Sequence, residues 1–173
     1  MFDRLLELLS TCWHRLVPFF VVNQYQRAVV LRLGVFHREL APGFHWIWPL
    51  FEWTLDHDVV PRVHRLQPQS VNTRDGCACV VQLVLTWRVS DVRKLLLEVE
   101  DAEHAIQDAA QGVLAARIAR ADWSELIVPE FLDEAQKDMR KRAFRWGIEI
   151  MQVQFSDLQR CKSLRLWQEH RHQ

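Results

Sequence analysis

The sequence of residues 79–91, "CVVQLVLTWRVSD", decides much of the fold because apolar side chains recur at every second position. Successive side chains of a β-strand point to opposite faces, so this spacing predicts one long strand that is buried on one face. The predicted buried face carries Cys79, Val81, Leu83, Leu85, Trp87 and Val89. Ser90 and Asp91 follow the strand and can cap a short helix over 92–99 with their side-chain oxygens.

Two longer helices are predicted after this strand. Asp101 can open a helix over 102–119, and Pro129 is well placed in the first turn of a second one. Asp122 and Glu125 are spaced as a capping box between them. The first buried stripe is predicted to be Ala102, Ile106, Ala109, Val113 and Leu114, and the second Phe131, Leu132, Ala135, Met139, Ala143 and Trp146.

A last strand is predicted after Gly147, a glycine that can take the left-handed conformation at a helix end. Its apolar positions change parity, since Ile148 and Ile150 are followed by Val153 and Phe155. A change of parity within one strand indicates a β-bulge, here near Met151.

The residues before the long strand at 79–89 are β-rich. A strand ends at Gly34, turn chemistry follows at 41–43, and Pro61 and Pro68 interrupt the extended stretch 54–72. Asp75-Gly76 is a hairpin-type turn signal. The order of elements, β-rich first and mixed afterwards, predicts an α+β fold.

Residues 42–53, "PGFHWIWPLFEW", contain three tryptophans and two phenylalanines. In a strand after Gly43, Phe44 and Trp46 share one face while His45 and Ile47 share the other, so both faces are largely apolar. An antiparallel strand with one wet face does not have this pattern. Two interpretations stay open: a packed core hairpin, or lipid contact by at least one of Trp46, Trp48 and Phe51.

Residues 1–22 are predicted to form an amphipathic helix with a narrow polar stripe and a wide apolar arc. We expect it to lie in a membrane interface, and the alternative is a helix packed on the protein's own core. Pro18 interrupts the longest apolar run, so no membrane-spanning helix is predicted, and no cleavable signal peptide is expected. The predicted membrane-binding residues are Phe2, Leu5, Leu9, Trp13, Leu16, Phe19, Phe20, Trp46, Trp48 and Phe51.

The composition disfavours several classes of function. Lys plus Arg and Asp plus Glu are both 22, so the chain has no basic field for nucleic acid. The four cysteines fit neither a disulfide framework nor a zinc motif, and we interpret them as reduced thiols on the cytoplasmic face of a membrane. The basic run 137–145 is interpreted as a solvated helix face, with contact to acidic headgroups or an acidic partner as the alternative.

Catalytic and metal chemistry find little support in the sequence. His45, His57 and His64 could be imagined as metal ligands, but Asp56, His57 and Asp58 alternate across a strand and do not converge. His170 and His172 are interpreted as part of a solvated C-terminal tail. No phosphate loop, nucleophile elbow or zinc-protease motif is present. We therefore predict no enzyme activity, no cofactor and no metal site.

Six motifs in order resemble the SPFH domain, also called the Band 7 or prohibitin homology domain, of stomatin- and prohibitin-like proteins. They are "VVNQYQRAVVLRLGVF", "APGFHWIWPLFEW", "LQPQSVNTRDG", "VVQLVLTWRVSD", "DAEHAIQDAAQGVLAARIA" and "WGIEIMQVQFSDL". The resemblance covers roughly residues 22–160. The positions that match the family motifs are Arg27, Gly34, Pro42, Gly43, Pro49, Pro68, Gln69, Asp75, Gly76, Trp146 and Gly147.

The resemblance implies an SPFH domain over 23–160, with a β-rich subdomain at 23–72, an α/β subdomain at 73–160 and a short tail at 161–173. It also implies a non-enzymatic membrane scaffold that recruits or regulates a protease or channel and forms homo- or hetero-oligomers with SPFH proteins. A soluble module that engages or interferes with SPFH assemblies is the alternative. Gln26 stands where the family usually has Glu, and the long coiled coil after Asp157-Leu158 is missing from this sequence.

Overall fold

The computed structural model of the chain describes residues 18–161, so most of the predicted N-terminal helix and nearly all of the predicted tail lie outside the described residues. The strands are β1 Phe19–Val22, β2 Gln26–Arg32, β3 Val35–Leu40, β4 Gly43–Trp46, β5 Glu52–Asp58, β6 Arg62–Arg65, β7 Gln69–Asn72, β8 Ala78–Val89 and β9 Ile148–Arg160. The helices are α1 Val92–Glu98, α2 Ala102–Ile118, α3 Trp123–Leu126, α4 Pro129–Ala143 and a 3₁₀ turn at Phe144–Trp146. The predicted α+β class is confirmed.

The described residues form two compact units. The first contains residues 18–61, 88–102 and 144–149, and the second contains 62–87, 103–143 and 150–161. The chain thus passes between the units several times. The subdomains 23–72 and 73–160 stay a prediction.

In the first unit, a three-stranded antiparallel sheet has the order β3-β2-β5. Its β2–β3 hairpin turns at Leu33 and Gly34, which have φ values of 51° and 83°. Positive φ at both central residues is the geometry of a type I′ turn, which fits the twist of the two strands. Gly34 therefore adopts the positive φ that this turn requires, at the position where the sequence predicted the end of a strand.

A two-stranded antiparallel sheet of β1 and β4, called here the aromatic ribbon, also belongs to the first unit. Apolar side chains from the ribbon, β2, β3 and the residue after β4 form a small core. This core consists of Val22, Ala28, Val30, Leu40 and Ile47, with Phe20 packed against it.

Strand β1 corrects the prediction of a helix up to residue 22, because Phe19–Val22 is extended and paired with Trp46–Gly43. Pro18 precedes it, and its carbonyl accepts a hydrogen bond from Ile47 N–H at 2.8 Å. Two β-branched and two aromatic residues fit a strand better than a helix. A fully apolar run of four residues has no period that separates the two structures.

Helix α1 begins as predicted, because the Asp91 side chain caps it by accepting a hydrogen bond from Lys94 N–H. Gly147 lies beside this cap with a φ of 70° and accepts hydrogen bonds from the N–H groups of Ser90 and Asp91. A Cβ atom on Gly147 would lie 2.3 Å from the Asp91 carbonyl oxygen. Glycine is thus required at this position for both conformation and space.

The second unit contains a sheet in which β6, β7 and β9 pair with β8. The predicted alternation of β8 is confirmed, since all six apolar residues assigned to its inner face are buried. The parity change in β9 is also observed: Ile148 and Ile150 are buried, Met151 and Gln152 are both exposed, and Val153 is buried.

The two long helices agree with the prediction except in detail. In α2, Ala110 is buried although it was not predicted, whereas the predicted residues Ala102 and Ala109 are only half-buried. In α4, Leu132 is half-buried, as is Trp146 beyond the helix. Arg117 of α2 donates to Glu134 and to Asp138 of α4, each at 2.6 Å, and these carboxylates raise the pKa of the guanidinium.

Candidate membrane-contact surface

The aromatic ribbon has one buried face and one exposed apolar face. Cross-strand partners share a face, and the register pairs Phe19 with Trp46 and Val21 with Phe44. These four side chains, called here the outer face of the ribbon, are 47–66% exposed. The Phe19 ring centroid lies 5.1 Å from each of the Phe44 and Trp46 rings. The outer face is therefore a continuous cluster of large apolar side chains in contact with solvent.

A loop at residues 48–51, called here the aromatic loop, continues this apolar character after β4. The Trp48 carbonyl accepts hydrogen bonds from the N–H groups of Phe51 and Glu52, so the loop is a tight turn. Leu33 at the β2–β3 turn donates its N–H to the Phe51 carbonyl at 2.8 Å. Trp48, Leu50, Phe51 and Leu33 are all exposed.

A buried carboxylate holds the aromatic loop against the sheet. Glu52 begins β5, and its side chain is fully buried. Its Oε1 accepts hydrogen bonds from Nε and Nη2 of Arg32, and its Oε2 accepts one from the Trp48 N–H at 3.0 Å. Burial raises the pKa of Glu52, but the Trp48 N–H, Arg32 and Arg38 outweigh burial and lower it below the ordinary value. The carboxylate is therefore ionised at neutral pH.

The structure places the predicted lipid-contact residues as follows. Phe19, Trp46, Trp48 and Phe51 are exposed, whereas Phe20 is half-buried and packs against the core. The predicted residues Phe2, Leu5, Leu9, Trp13 and Leu16 lie outside the described residues. Lipid contact by any of these residues stays a prediction.

Sequence reasoning missed several exposed apolar residues of this region, namely Val21, Leu33, Phe44, Leu50 and Trp53. Phe44 could have been found, because it shares the parity of Trp46 in the same short strand. Val21 could not, since its exposure depends on the strand that replaced the predicted helix. Trp53 pairs with Leu31 in the three-stranded sheet and is therefore not part of the ribbon.

Several residues of the family motifs have structural roles that the backbone explains. Gly34, Gly43, Gly76 and Gly147 all have positive φ, which disfavours other residues. Asp75 accepts a hydrogen bond from the Thr73 hydroxyl, which is the largest cause of its lowered pKa. These motif positions shape turns.

The side chains considered for metal or redox chemistry are placed separately. A ring nitrogen of His45 lies 2.6 Å from the Ala41 carbonyl oxygen, and His64 lies beside Gln107. Between residues 18 and 161, no group of three or more His, Cys, Asp or Glu side chains could hold a metal ion. Cys79 is buried, and burial raises the pKa of its thiol.

No helix within residues 18–161 is both long enough and apolar enough to cross a bilayer. The described fold and surface define a class: an α+β domain that exposes a cluster of aromatic side chains on one two-stranded ribbon.

The sequence pattern of the SPFH domain / Band 7 family matches residues 20–166, so the chain belongs to this family. An uncharacterised protein of Methanocaldococcus jannaschii is 33% identical to it over 140 residues, which are 80% of this chain and 70% of that protein. The stomatin homologue of Pyrococcus horikoshii is 28% identical, over 80% of this chain and 53% of the homologue. Protein HflK of Haemophilus influenzae is 26% identical, over 79% of this chain and 35% of HflK.

These comparisons confirm the family resemblance seen in the sequence. Proteins of this family are broadly membrane-associated scaffolds and are generally not enzymes. The chain spans about half or less of the length of the stomatin homologue and HflK.

Proposed function

We propose that this protein is a non-enzymatic SPFH scaffold that binds a membrane surface and there recruits, organises or regulates a membrane protein. The observation that carries the proposal is the outer face of the ribbon, where Phe19, Val21, Phe44 and Trp46 are exposed together. Monomeric proteins seldom expose large contiguous apolar patches, and such patches mark contact with lipid or with protein. The proposed site is the outer face together with the aromatic loop.

Lipid is the favoured occupant because of the chemistry of the exposed side chains. Tryptophan combines an apolar ring with a polar N–H and is enriched at the headgroup level of membranes. Trp46 and Trp48 are both about half exposed, at 55% and 58%. An aromatic side chain buries about 150–250 Å², so inserting its exposed half contributes on the order of 2 kcal/mol before ordering costs. Two or three such side chains support peripheral attachment.

The predicted N-terminal helix stays part of the proposal, but it is now confined to residues before β1. Their predicted lipid-facing helix ends before Phe19, where β1 begins. Because Phe19 and Val21 lie on the outer face, a helix in residues 1–17 would lead directly into the proposed contact surface. We propose that Phe2, Leu5, Leu9, Trp13 and Leu16 contact the same membrane.

The partners and the location are proposed from the family. Membership of the SPFH family supports assembly with other SPFH chains, and we propose that the membrane protein partner is a protease or a channel. We propose that the protein lies on the cytoplasmic face of the membrane. The described cysteines Cys77, Cys79 and Cys161 are free, and free thiols are typical of a reducing compartment.

Liposome flotation tests the lipid contact. We expect the wild type to float with phosphatidylcholine vesicles and Phe44→Ser/Trp46→Ser to float much less. The matched control is Val63→Ser/Ile127→Ser, which removes two comparably exposed apolar side chains from the second unit. Equal flotation of all three proteins would contradict the proposed site.

The alternative occupant of the outer face is a protein, as in a soluble module that engages SPFH assemblies. Size-exclusion chromatography with light scattering separates the two possibilities. A discrete complex that forms without lipid and is lost in Phe44→Ser/Trp46→Ser would favour the protein partner. Self-association that lipid vesicles relieve would favour the membrane.

A further inference from the structure

A β-bulge in β3 gathers cationic side chains beside the aromatic loop. The register between β2 and β3 shifts between Val30 and Leu31, which pair with Arg38 and Phe36, so His37 is the extra residue. A bulge interrupts the alternation of side chains and re-aims them. As a result, both neighbours reach Glu52: His37 Nε2 lies 4.0 Å from Oε1, and Arg38 Nη2 lies 3.7 Å from Oε2.

The cluster of Arg32, His37, Arg38 and Glu52, called here the Glu52 cluster, carries an excess of positive charge. Two guanidinium groups share one carboxylate, so the arginines and Glu52 together carry one net positive charge. Asp56 and Asp58 share the strand parity of Glu52 but lie further along β5, and Asp56 accepts a hydrogen bond from Gln26 at 3.1 Å. The ion pairs of Arg32 and Arg38 within the described residues are with Glu52 and not with Asp56.

The guanidinium groups keep free donors that face solvent. Arg32 uses Nε and Nη2 on Glu52, and its Nη1 has no hydrogen-bond partner within residues 18–161. The side chains of Arg32 and Arg38 are 46% and 43% exposed. A guanidinium presents its donors as a planar fork that matches the oxygens of a phosphate.

The Glu52 cluster is directly connected to the proposed lipid surface. Arg38 Nη2 donates to the Trp46 carbonyl at 2.7 Å, and the Trp48 N–H donates to Glu52 at 3.0 Å. A cavity of about 440 Å³ is lined by Arg32 and by the apolar residues Leu33, Trp48 and Phe51. Its lining suits a molecule with an anionic head and an apolar body.

We propose that the Glu52 cluster binds the anionic headgroup of a phospholipid in the membrane that the aromatic surface contacts. This inference rests on the proposed function and adds the class of lipid. The phosphate lies on Arg32 and Arg38, while the glycerol and upper acyl chain lie against Leu33, Trp48 and Phe51. Basic side chains near a membrane surface add affinity only when the lipids carry negative charge.

Co-sedimentation of the full chain with two kinds of vesicle tests the proposal. One kind is phosphatidylcholine alone, and the other contains phosphatidylserine in addition. We expect tighter binding to the second kind, and we expect added salt to remove the difference. Arg38→Gln should weaken binding to phosphatidylserine vesicles roughly fivefold, the effect of one basic side chain near an anionic surface, and weaken binding to phosphatidylcholine vesicles much less.

Three further variants separate charge from structure. Arg65→Gln is the matched control, because it removes an equal charge from an exposed arginine of the second unit. Arg38→Lys keeps a cation and a donor and should retain most of the preference. Arg32→Gln should reproduce the loss at the second guanidinium, which covers the case in which Arg38→Gln fails to fold.

The two proposals fail in different ways. Equal binding to both kinds of vesicle, with Arg38→Gln and Arg32→Gln matching Arg65→Gln, would overturn the headgroup site and leave the lipid-contact surface intact. Absence of binding to either kind would overturn the proposed function itself. A preference for phosphatidylserine that only the Arg32 and Arg38 variants lose would support both.

Discussion

Strand β8 and the aromatic ribbon are both antiparallel and both rich in apolar side chains, yet they bury them differently. In β8, every second residue from Cys79 to Val89 is buried, and the residues between them are more exposed. In the ribbon, Val22 and its neighbours fill a core while the equally apolar outer face meets solvent. Alternation therefore indicates which side chains a fold buries for itself, whereas the ribbon, which lacks it, exposes apolar side chains that we propose contact the membrane.

The first prediction compares one tryptophan from each region. Trp87 is 0% exposed, so Trp87→Ala leaves a cavity and should lower the free energy of unfolding by about 3–5 kcal/mol. Trp46→Ala should lower it by only about 2 kcal/mol, since half of that side chain is already in water. Urea denaturation followed by circular dichroism measures both.

Vesicle binding should rank the same two variants in the opposite order. Trp46→Ala should weaken flotation, whereas Trp87→Ala should not weaken it under conditions in which it is folded. Equal losses of stability would mean that Trp46 is a core residue, and the contrast between the two regions would be wrong.

The second prediction concerns the carboxylate that holds the aromatic loop. Glu52→Gln keeps the shape but removes the charge that Arg32 and the Trp48 N–H contact, so it should cost about 1–3 kcal/mol of stability at neutral pH. The partners of Glu52 are half exposed, which places the cost below that of a fully buried pair.

The pH dependence of this variant follows from the lowered pKa of Glu52. A depressed pKa means that the carboxylate stabilises the fold above its unfolded pKa, near 4.5, and that this stabilisation is lost as the pH falls through the folded value. The difference in unfolding free energy between wild type and Glu52→Gln should therefore shrink as the pH is lowered below about 4.5. A difference that stays constant across that range would show that the charge of Glu52 is unimportant.

The third and smallest prediction concerns Leu33, an exposed leucine with a φ of 51° beside Gly34. Asn-Gly is the preferred pair in a type I′ turn, so Leu33→Asn should raise the free energy of unfolding by about 0.5–1 kcal/mol. Leu50→Asn is the control, because Leu50 is exposed on the adjacent aromatic loop and its φ is not positive.

Leu33 thus contrasts with the rest of the turn, since an apolar residue occupies a position where asparagine would be more stable. Stability that rises in Leu33→Asn while vesicle binding falls would mean that Leu33 serves the surface and not the fold. A loss of stability in Leu33→Asn would contradict the turn geometry.

The sequence allowed prediction of those parts of the fold in which one local rule decides the structure. Alternation of apolar residues predicted β8, and a residue with a side-chain oxygen before a helix predicted the cap at Asp91. A glycine at a helix end predicted the left-handed conformation of Gly147. In each case the polar residues or the glycine are compatible with one local backbone structure and disfavour the alternatives.

The candidate site was predicted only in part, because its decisive features are not local. The strand at Phe19–Val22 depends on pairing with a segment more than twenty residues away, and the bulge at His37 depends on the register of two strands. Neither the strand nor the bulge can be predicted from the spacing of apolar residues. The cluster of charges around Glu52 is likewise assembled from β2, β3 and β5, and it was not foreseen.

The central claim, that the outer face of the ribbon lies in the membrane interface, is tested most directly at Trp46. Protein labelled with fluorotryptophan would be bound to nanodiscs whose lipids carry a nitroxide near the headgroup. Among the resonances of the eight tryptophans, those of Trp46 and Trp87 would be assigned with Trp46→Phe and Trp87→Phe. We predict that the nitroxide broadens the Trp46 resonance strongly and the Trp87 resonance little, relative to the same nanodiscs after reduction. A Trp46 resonance that the nitroxide leaves unchanged in bound protein would contradict the account.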